Sequence, residues 1–205
     1  LKAMKPGVER TPWFRRNYRR EWVIEDDSLV YRYQPGRNDF DTIPEAGGAE
    51  WHHVLAIDLG YNDASAFVLM AYNDHDQSLY VLEVFKRTRM DVTDVANKAK
   101  LYRQRFDLEY MIVDGANKQA VEEMRRRHDL PLLAADKTGK PDFIELMNTD
   151  FNLGKIKLKR GACAPLVEEY SSLIWDEKSA KRQEHPACEN HAADAALYGW
   201  RHCYN

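Results

Sequence analysis

His53-Val54-Leu55-Ala56-Ile57-Asp58 is a short, nearly continuous apolar run that closes on a carboxylate, with Gly60 just beyond it. A run of this length bounded by a turn residue predicts a buried strand. Two more follow, Ala64 to Tyr72 (ASAFVLMAY) and Leu79 to Phe85 (LYVLEVF), separated by the polar turn Asn73-Asp74-His75-Asp76. The three runs predict an antiparallel meander. Past Asp91 the period changes: Val92, Val95, Ala99 and Tyr102 recur at three and four residues, an amphipathic helix reaching Arg105. Met111-Ile112-Val113-Asp114 is a further buried strand ending in a carboxylate. Then come a helix from Lys118 to His128, a strand from Leu130 to Ala135, a helix from Asp142 to Leu153 stopped by Gly154, and a short strand at Ile156-Lys157-Leu158. Pro165 opens a helix to about Ile174, and Asn190 caps a last helix to about Tyr204. A meander followed by alternating units predicts an α/β fold: a mixed sheet, antiparallel meander plus parallel strands, flanked by helices.

The 205 residues are 44% hydrophobic and 31% charged, as in a globular domain with room for an appended segment. No apolar run approaches the roughly 20 residues that span a bilayer, so no membrane partner is expected. Leu1 to Arg20 is basic and broken by Pro6, Gly7 and Pro12, unlike a signal peptide, and the first residue is not Met, as in a fragment or processed chain. A net charge of -3 means that any attraction for nucleic acid must be local. Cys163, Cys188 and Cys203 form no C-x-x-C pair, which suits a reducing compartment, and Cys163 reads as a small buried apolar residue.

Leu1 to Glu50 carries nine basic and nine acidic residues, scattered apolar anchors (Trp13, Trp22) and turn formers at Pro35-Gly36, Pro44 and Gly47-Gly48. It reads as a linker or the tail of an upstream domain over residues 1–50, with Leu29 to Tyr33 as one short strand and a separate domain over 51–205. On that boundary, removing the first fifty residues leaves the remainder folded.

Three carboxylates stand where chemistry would put them. Asp58 and Asp114 close two strands that the element order allows to be neighbours, and Asp194 lies one turn into the last helix among small residues, His191-Ala192-Ala193-Asp194-Ala195-Ala196. The alanines let that helix approach the sheet, and His191 shares the face of Asp194. Adjacent carboxylates repel unless a cation lies between them, and hard oxygen ligands suit Mg²⁺ or Mn²⁺. Asp63 is a weaker supporting ligand, since Gly60-Tyr61-Asn62-Asp63 also reads as a hairpin turn.

Ala56-Ile57-Asp58-Leu59-Gly60, Ile112-Val113-Asp114-Gly115 and Asn190-His191-Ala192-Ala193-Asp194-Ala195, in this order, resemble the ribonuclease H-like nuclease domain of the large terminase subunit of tailed bacteriophages and prophages. The resemblance covers about Trp51 to Asn205; more loosely, Trp13-Phe14-Arg15-Arg16-Asn17-Tyr18 and Glu21-Trp22 are similar to the end of that family's ATPase domain. It implies an endonuclease that cuts concatemeric double-stranded viral DNA with two divalent cations, Mg²⁺ or Mn²⁺, held by Asp58, Asp114 and Asp194, with His191 auxiliary. It also implies an upstream ATPase domain in the same protein, portal and small-terminase partners, and a place in the host-cell cytoplasm rather than in the virion. The chain carries no G-x-x-x-x-G-K-[ST] loop, so this piece could cut but not translocate.

For DNA, the richest stretch is Lys137 to Arg160, with six basic residues against three acidic, and Lys137 and Lys140 lead because their loop follows a strand. Lys86-Arg87 with Arg89, and Arg125-Arg126-Arg127, are further clusters that a solvated face would also explain. Other readings stay open. A Holliday-junction resolvase or transposase core uses the same carboxylates, and a domain of this fold could merely dock DNA or a portal ring. Asp58-Leu59-Gly60 with Asp63 and Ser65 also resembles a sugar-kinase phosphate loop, and His185, Cys188 and His191 have spacing that zinc could use.

Overall fold

The computed structural model describes residues 28–60, 63–115, 117–179 and 181–204. In chain order these form β1 (Asp39–Phe40), β2 (His52–Asp58), β3 (Ala64–Tyr72), β4 (Leu79–Thr88), α1 (Val92–Arg105), β5 (Leu108–Val113), α2 (Lys118–His128), β6 (Leu132–Ala134), α3 (Lys140–Leu153), β7 (Ile156–Lys159), α4 (Ala164–Ser172) and α5 (His191–Tyr204). One seven-stranded sheet has the order β1-β7-β4-β3-β2-β5-β6. The β2–β3–β4 meander is antiparallel, and β5 and β6 extend it in parallel on one side, β7 and β1 on the other.

The central strands read as unbroken apolar runs because both faces are covered. On β2, Val54 and Ala56 face one core while Leu55 and Ile57 face the other; on β3, Val68 and Met70 oppose Phe67 and Leu69 in the same way. The second face is covered by α1 through Val95, Ala99 and Tyr102 and by α2 through Val121 and Met124. The first is covered by Ile144, Met147 and Phe151 of α3, Leu166 and Tyr170 of α4, and the alanines of α5.

α5 rides unusually close to the sheet. A Cβ on Gly199 would lie 2.9 Å from Ala56 Cβ and 2.7 Å from Met70 Cε, so no larger residue fits without displacing the helix. Gly60 is equally constrained, since a Cβ there would meet the Ala64 carbonyl oxygen at 2.6 Å.

Residues 28–40 belong to this packed unit, so the boundary drawn near Gly47-Gly48 falls after contacts the domain needs. Val30 and Tyr31 are buried in the core, where Tyr31 packs on Tyr170 at 4.7 Å between ring centroids. Asn38, fully buried, donates to the carbonyls of Phe151 and Ile156, and β1 pairs with β7. Leu29 to Tyr33 is no strand; Leu29 makes a lone antiparallel bridge to Ile174. The aromatic side chains there are held by tertiary packing rather than by a ladder. The segment 1–27, with Trp13 and Trp22, lies outside the described residues.

Two substitutions test this packing by urea denaturation. Tyr31→Ala costs about 3 kcal/mol or more, as for other large core aromatics, and a chain starting at Trp51 loses more still; a parent-like midpoint in that shortened chain would restore the boundary at 50. Gly199→Ala costs about 1–3 kcal/mol through overpacking.

Candidate active site

The parallel register of β2 and β5 sets Ile57 beside Val113, so the two strands release Asp58 and Asp114 side by side, and the Asp114 N–H donates to the Ile57 carbonyl at 2.9 Å. Both aspartates are largely buried and their carboxyls are within hydrogen-bonding reach of each other. Burial raises Asp58 above its ordinary range, Asp114 adds to the rise, and His191 opposes it with Nδ1 2.9 Å from Asp58 Oδ2. The same contact lifts the His191 imidazole above its usual value.

Asp194 arrives from α5. Its Oδ1 is 2.6 Å from Lys140 Nζ, an ion pair without an aligned hydrogen bond, and Lys140 also holds Glu184 Oε2 at 2.7 Å. Burial alone would lower Lys140, but Asp194 and Glu184 hold it above its ordinary value. Burial pushes Asp194 up to about 7 against the pull of Lys140, with Glu184 and Asp58 adding to the rise. Lys137 Nζ lies 2.5 Å from Asp114 Oδ2 and 5.7 Å from the centre of the Tyr198 ring. Each of the three aspartates thus faces a nitrogen base: Asp58 His191, Asp114 Lys137, Asp194 Lys140.

The sequence reading missed three members of this surround. Glu184 sits in the aperiodic stretch before α5, its Oε1 buried without a hydrogen-bond partner, and Asn190 donates to its Oε2 at 2.7 Å. Tyr198 is one turn from Asp194, and its phenol is held above its usual range by burial first and then by Asp194, Asp114, Asp58 and Glu184. The spacing His191, Asp194, Tyr198 was a legible signal for this polar stripe. Glu169 of α4, nearly fully buried, takes the Ala193 N–H at 2.7 Å, the bond that a cap on Asn190 was expected to make, and pairs with Lys86 Nζ at 2.6 Å.

Other expectations separate from the site. Asp63 is exposed just before β3, unlike the buried acids. Ser65 is fully buried, its hydroxyl donating to the Gly60 carbonyl at 2.7 Å, so it offers nothing to a phosphate. The zinc trio is dispersed: His185 Nδ1 accepts from the Ala187 N–H, Cys188 Sγ contacts the Ser172 carbonyl, and His191 is on Asp58. Arg125, Arg126 and Arg127 are paired with Glu122 and Glu123 along α2, a solvated face. Cys163 is buried as expected.

Among the described residues, no three His, Cys, Asp or Glu side chains form a ready-made metal cluster. The donor set nevertheless fits a hard divalent cation: Asp58, Asp114, Asp194 and Glu184 supply oxygens, Asp58 and Asp194 hold protons more tightly than ordinary carboxyls, and Glu184 Oε1 is an orphan. No described helix is long and apolar enough to cross a membrane.

No family model matches the chain. It is 22% identical over 200 residues to the large terminase subunit of Escherichia phage T5, covering 91% of this chain and 44% of that protein. In structure it is similar to the large terminase of a thermophilic bacteriophage, with a TM-score of 0.72 at 18% identity, over 83% of this chain and 44% of the other. It is also similar to the P22 large terminase nuclease domain, with a TM-score of 0.68 at 14% identity over 86% of this chain and 92% of that one. The large terminase nuclease domain from the bacteriophage SPP1 with bound Mn gives 0.65 at 14% identity, over 86% and 99% of the two chains. The resemblance read from the three motifs is therefore found again in both comparisons. The fold is the ribonuclease H-like one of these nuclease domains, and the chain spans less than half of the phage T5 protein and of the thermophilic phage protein.

Because Asp194 holds its proton in the folded chain up to about 7, against an ordinary 3.8, the stability it contributes is full at low pH and is lost as pH rises through that window. Asp194→Asn removes this loss. In chelator, the variant's melting temperature declines less between pH 5 and pH 8 than the parent's; equal declines would remove Asp194 as the source.

Proposed function

We propose that this chain is the nuclease part of a large terminase, a metal-dependent endonuclease that cuts concatemeric double-stranded DNA during viral genome packaging. What supports the reading above all is the gathering of Asp58, Asp114, Asp194 and Glu184 at one end of a terminase-nuclease fold, each beside a basic or amide side chain. A core built for stability alone has no use for such a set, whereas phosphodiester hydrolysis does.

Asp58, Asp114 and Asp194 would hold the cations. Two divalent cations bound there would supply activation of the attacking water and neutralisation of the leaving oxygen. The chain's own residues do the rest. His191 orients Asp58 through Nδ1 and, with its raised pKa, carries a proton for the leaving oxygen. Lys137, with 43% of its side chain exposed, stands at the rim of the acids and meets the phosphate backbone. Lys140, more buried, keeps Asp194 and Glu184 together. In the same reading the full protein has an upstream ATPase domain, meets portal and small terminase subunits, and works in the host-cell cytoplasm.

Supercoiled plasmid incubated with Mg²⁺, with Mn²⁺ and with chelator tests this. Metal-dependent nicking and linearisation are expected, reduced about a hundredfold or more in Asp58→Ala. Mn²⁺ raises the melting temperature of the parent and not of Asp58→Ala. A folded parent that neither cleaves nor responds to metal would instead favour a docking module.

A further inference from the structure

The loop between β6 and α3 carries Lys137 and opens α3 at Lys140, yet its residues 136–139 are largely exposed and bury little of their own. A loop so placed is free to move unless something grips its backbone. Arg201 does so from α5. Its Nη1 donates to the Asp136 carbonyl at 3.0 Å and to the Thr138 carbonyl at 2.7 Å, the two that bracket Lys137. Its Nη2 pairs with the Asp136 carboxylate, and the guanidinium lies 3.6 Å from the centre of the Phe143 ring on α3. The side chain is only 10% exposed. A planar fork with five donors can serve two carbonyls, a carboxylate and an aromatic face together; a lysine cannot.

Arg201 stands seven residues, about two turns, beyond Asp194 on the same helix face. One rigid element therefore delivers an acid to the cluster and fixes the loop that sets a base beside it. We propose that Arg201 is a positioning residue that acts through the 136–139 backbone to hold Lys137 at the DNA-facing rim of the acid cluster. This rests on the nuclease reading.

The test is binding of a 30-base-pair duplex to the full chain in Ca²⁺ across a series of salt concentrations, with intact duplex verified on a gel. Arg201→Lys is expected to lower the slope of log K against log salt by about 1, the contribution of one phosphate contact, as Lys137→Ala does. The double variant binds no more weakly than Lys137→Ala alone, because both remove the same contact. A purely structural role for Arg201 would give additive losses and leave the slope unchanged. Should Arg201→Lys fail to melt cooperatively, Asp136→Asn weakens the same grip while keeping the arginine and is expected to lower the slope in the same direction. A parent-like slope in the folded variants overturns the inference and leaves the nuclease reading standing. A parent that binds no duplex at all overturns both.

Discussion

The distance at which α5 crosses β2 and β3 is the constraint on which the acid cluster depends. Ala192, Ala193, Ala195 and Ala196 are fully buried against neighbouring elements, and Gly199 has no space for even a methyl group. Side chains of ordinary size there would lift the helix by ångströms and carry Asp194 and His191 away from Asp58. The strands alone fix the other two acids, since the register that places Ile57 by Val113 leaves Asp58 and Asp114 no choice but to be adjacent. One helix on small residues and one parallel pair thus set three carboxylates, with Glu169 tying down the first turn of that helix at the Ala193 N–H.

Gathering acids in a poorly solvated place is unfavourable, and the surrounding side chains show how it is offset. His191, Lys137 and Lys140 each face one aspartate, and burial still leaves Asp58 and Asp194 holding protons above their usual range. The two lysines occupy a middle ground, close enough to the acids to balance them and, for Lys137, exposed enough to meet an approaching phosphate.

Much of this was legible in the sequence, for reasons that particular residues make plain. Apolar runs closing on Asp58 and Asp114 announced buried strands with charged ends, and the His191–Asp194 spacing on an alanine-rich helix announced a third acid brought close. β3 and α2 have the bounds their periodicity gave. The rest carried no periodic signal. β1 is two residues long and is anchored by the buried amide of Asn38, a tertiary interaction that pattern reading cannot see. Glu184 lies in a stretch without regular structure, and only the fold brings it to Lys140. Tyr198 and Arg201 were not singled out, although their spacing from Asp194 puts all three on one face of the helix.

The lone bridges at the start of the described chain have a mechanical side. Leu29 pairs with Ile174, the Trp175 N–H donates to the Ser28 carbonyl at 3.1 Å, and Trp175 pairs in turn with Glu184. Residues 28–29 therefore lie abreast of a local pairing of 174–176 with 183–185, and the last of these stretches bears a carboxylate that Lys140 shares with Asp194. The backbone at residue 28 is thus joined by two hydrogen-bonded rungs to the wall of the acid cluster.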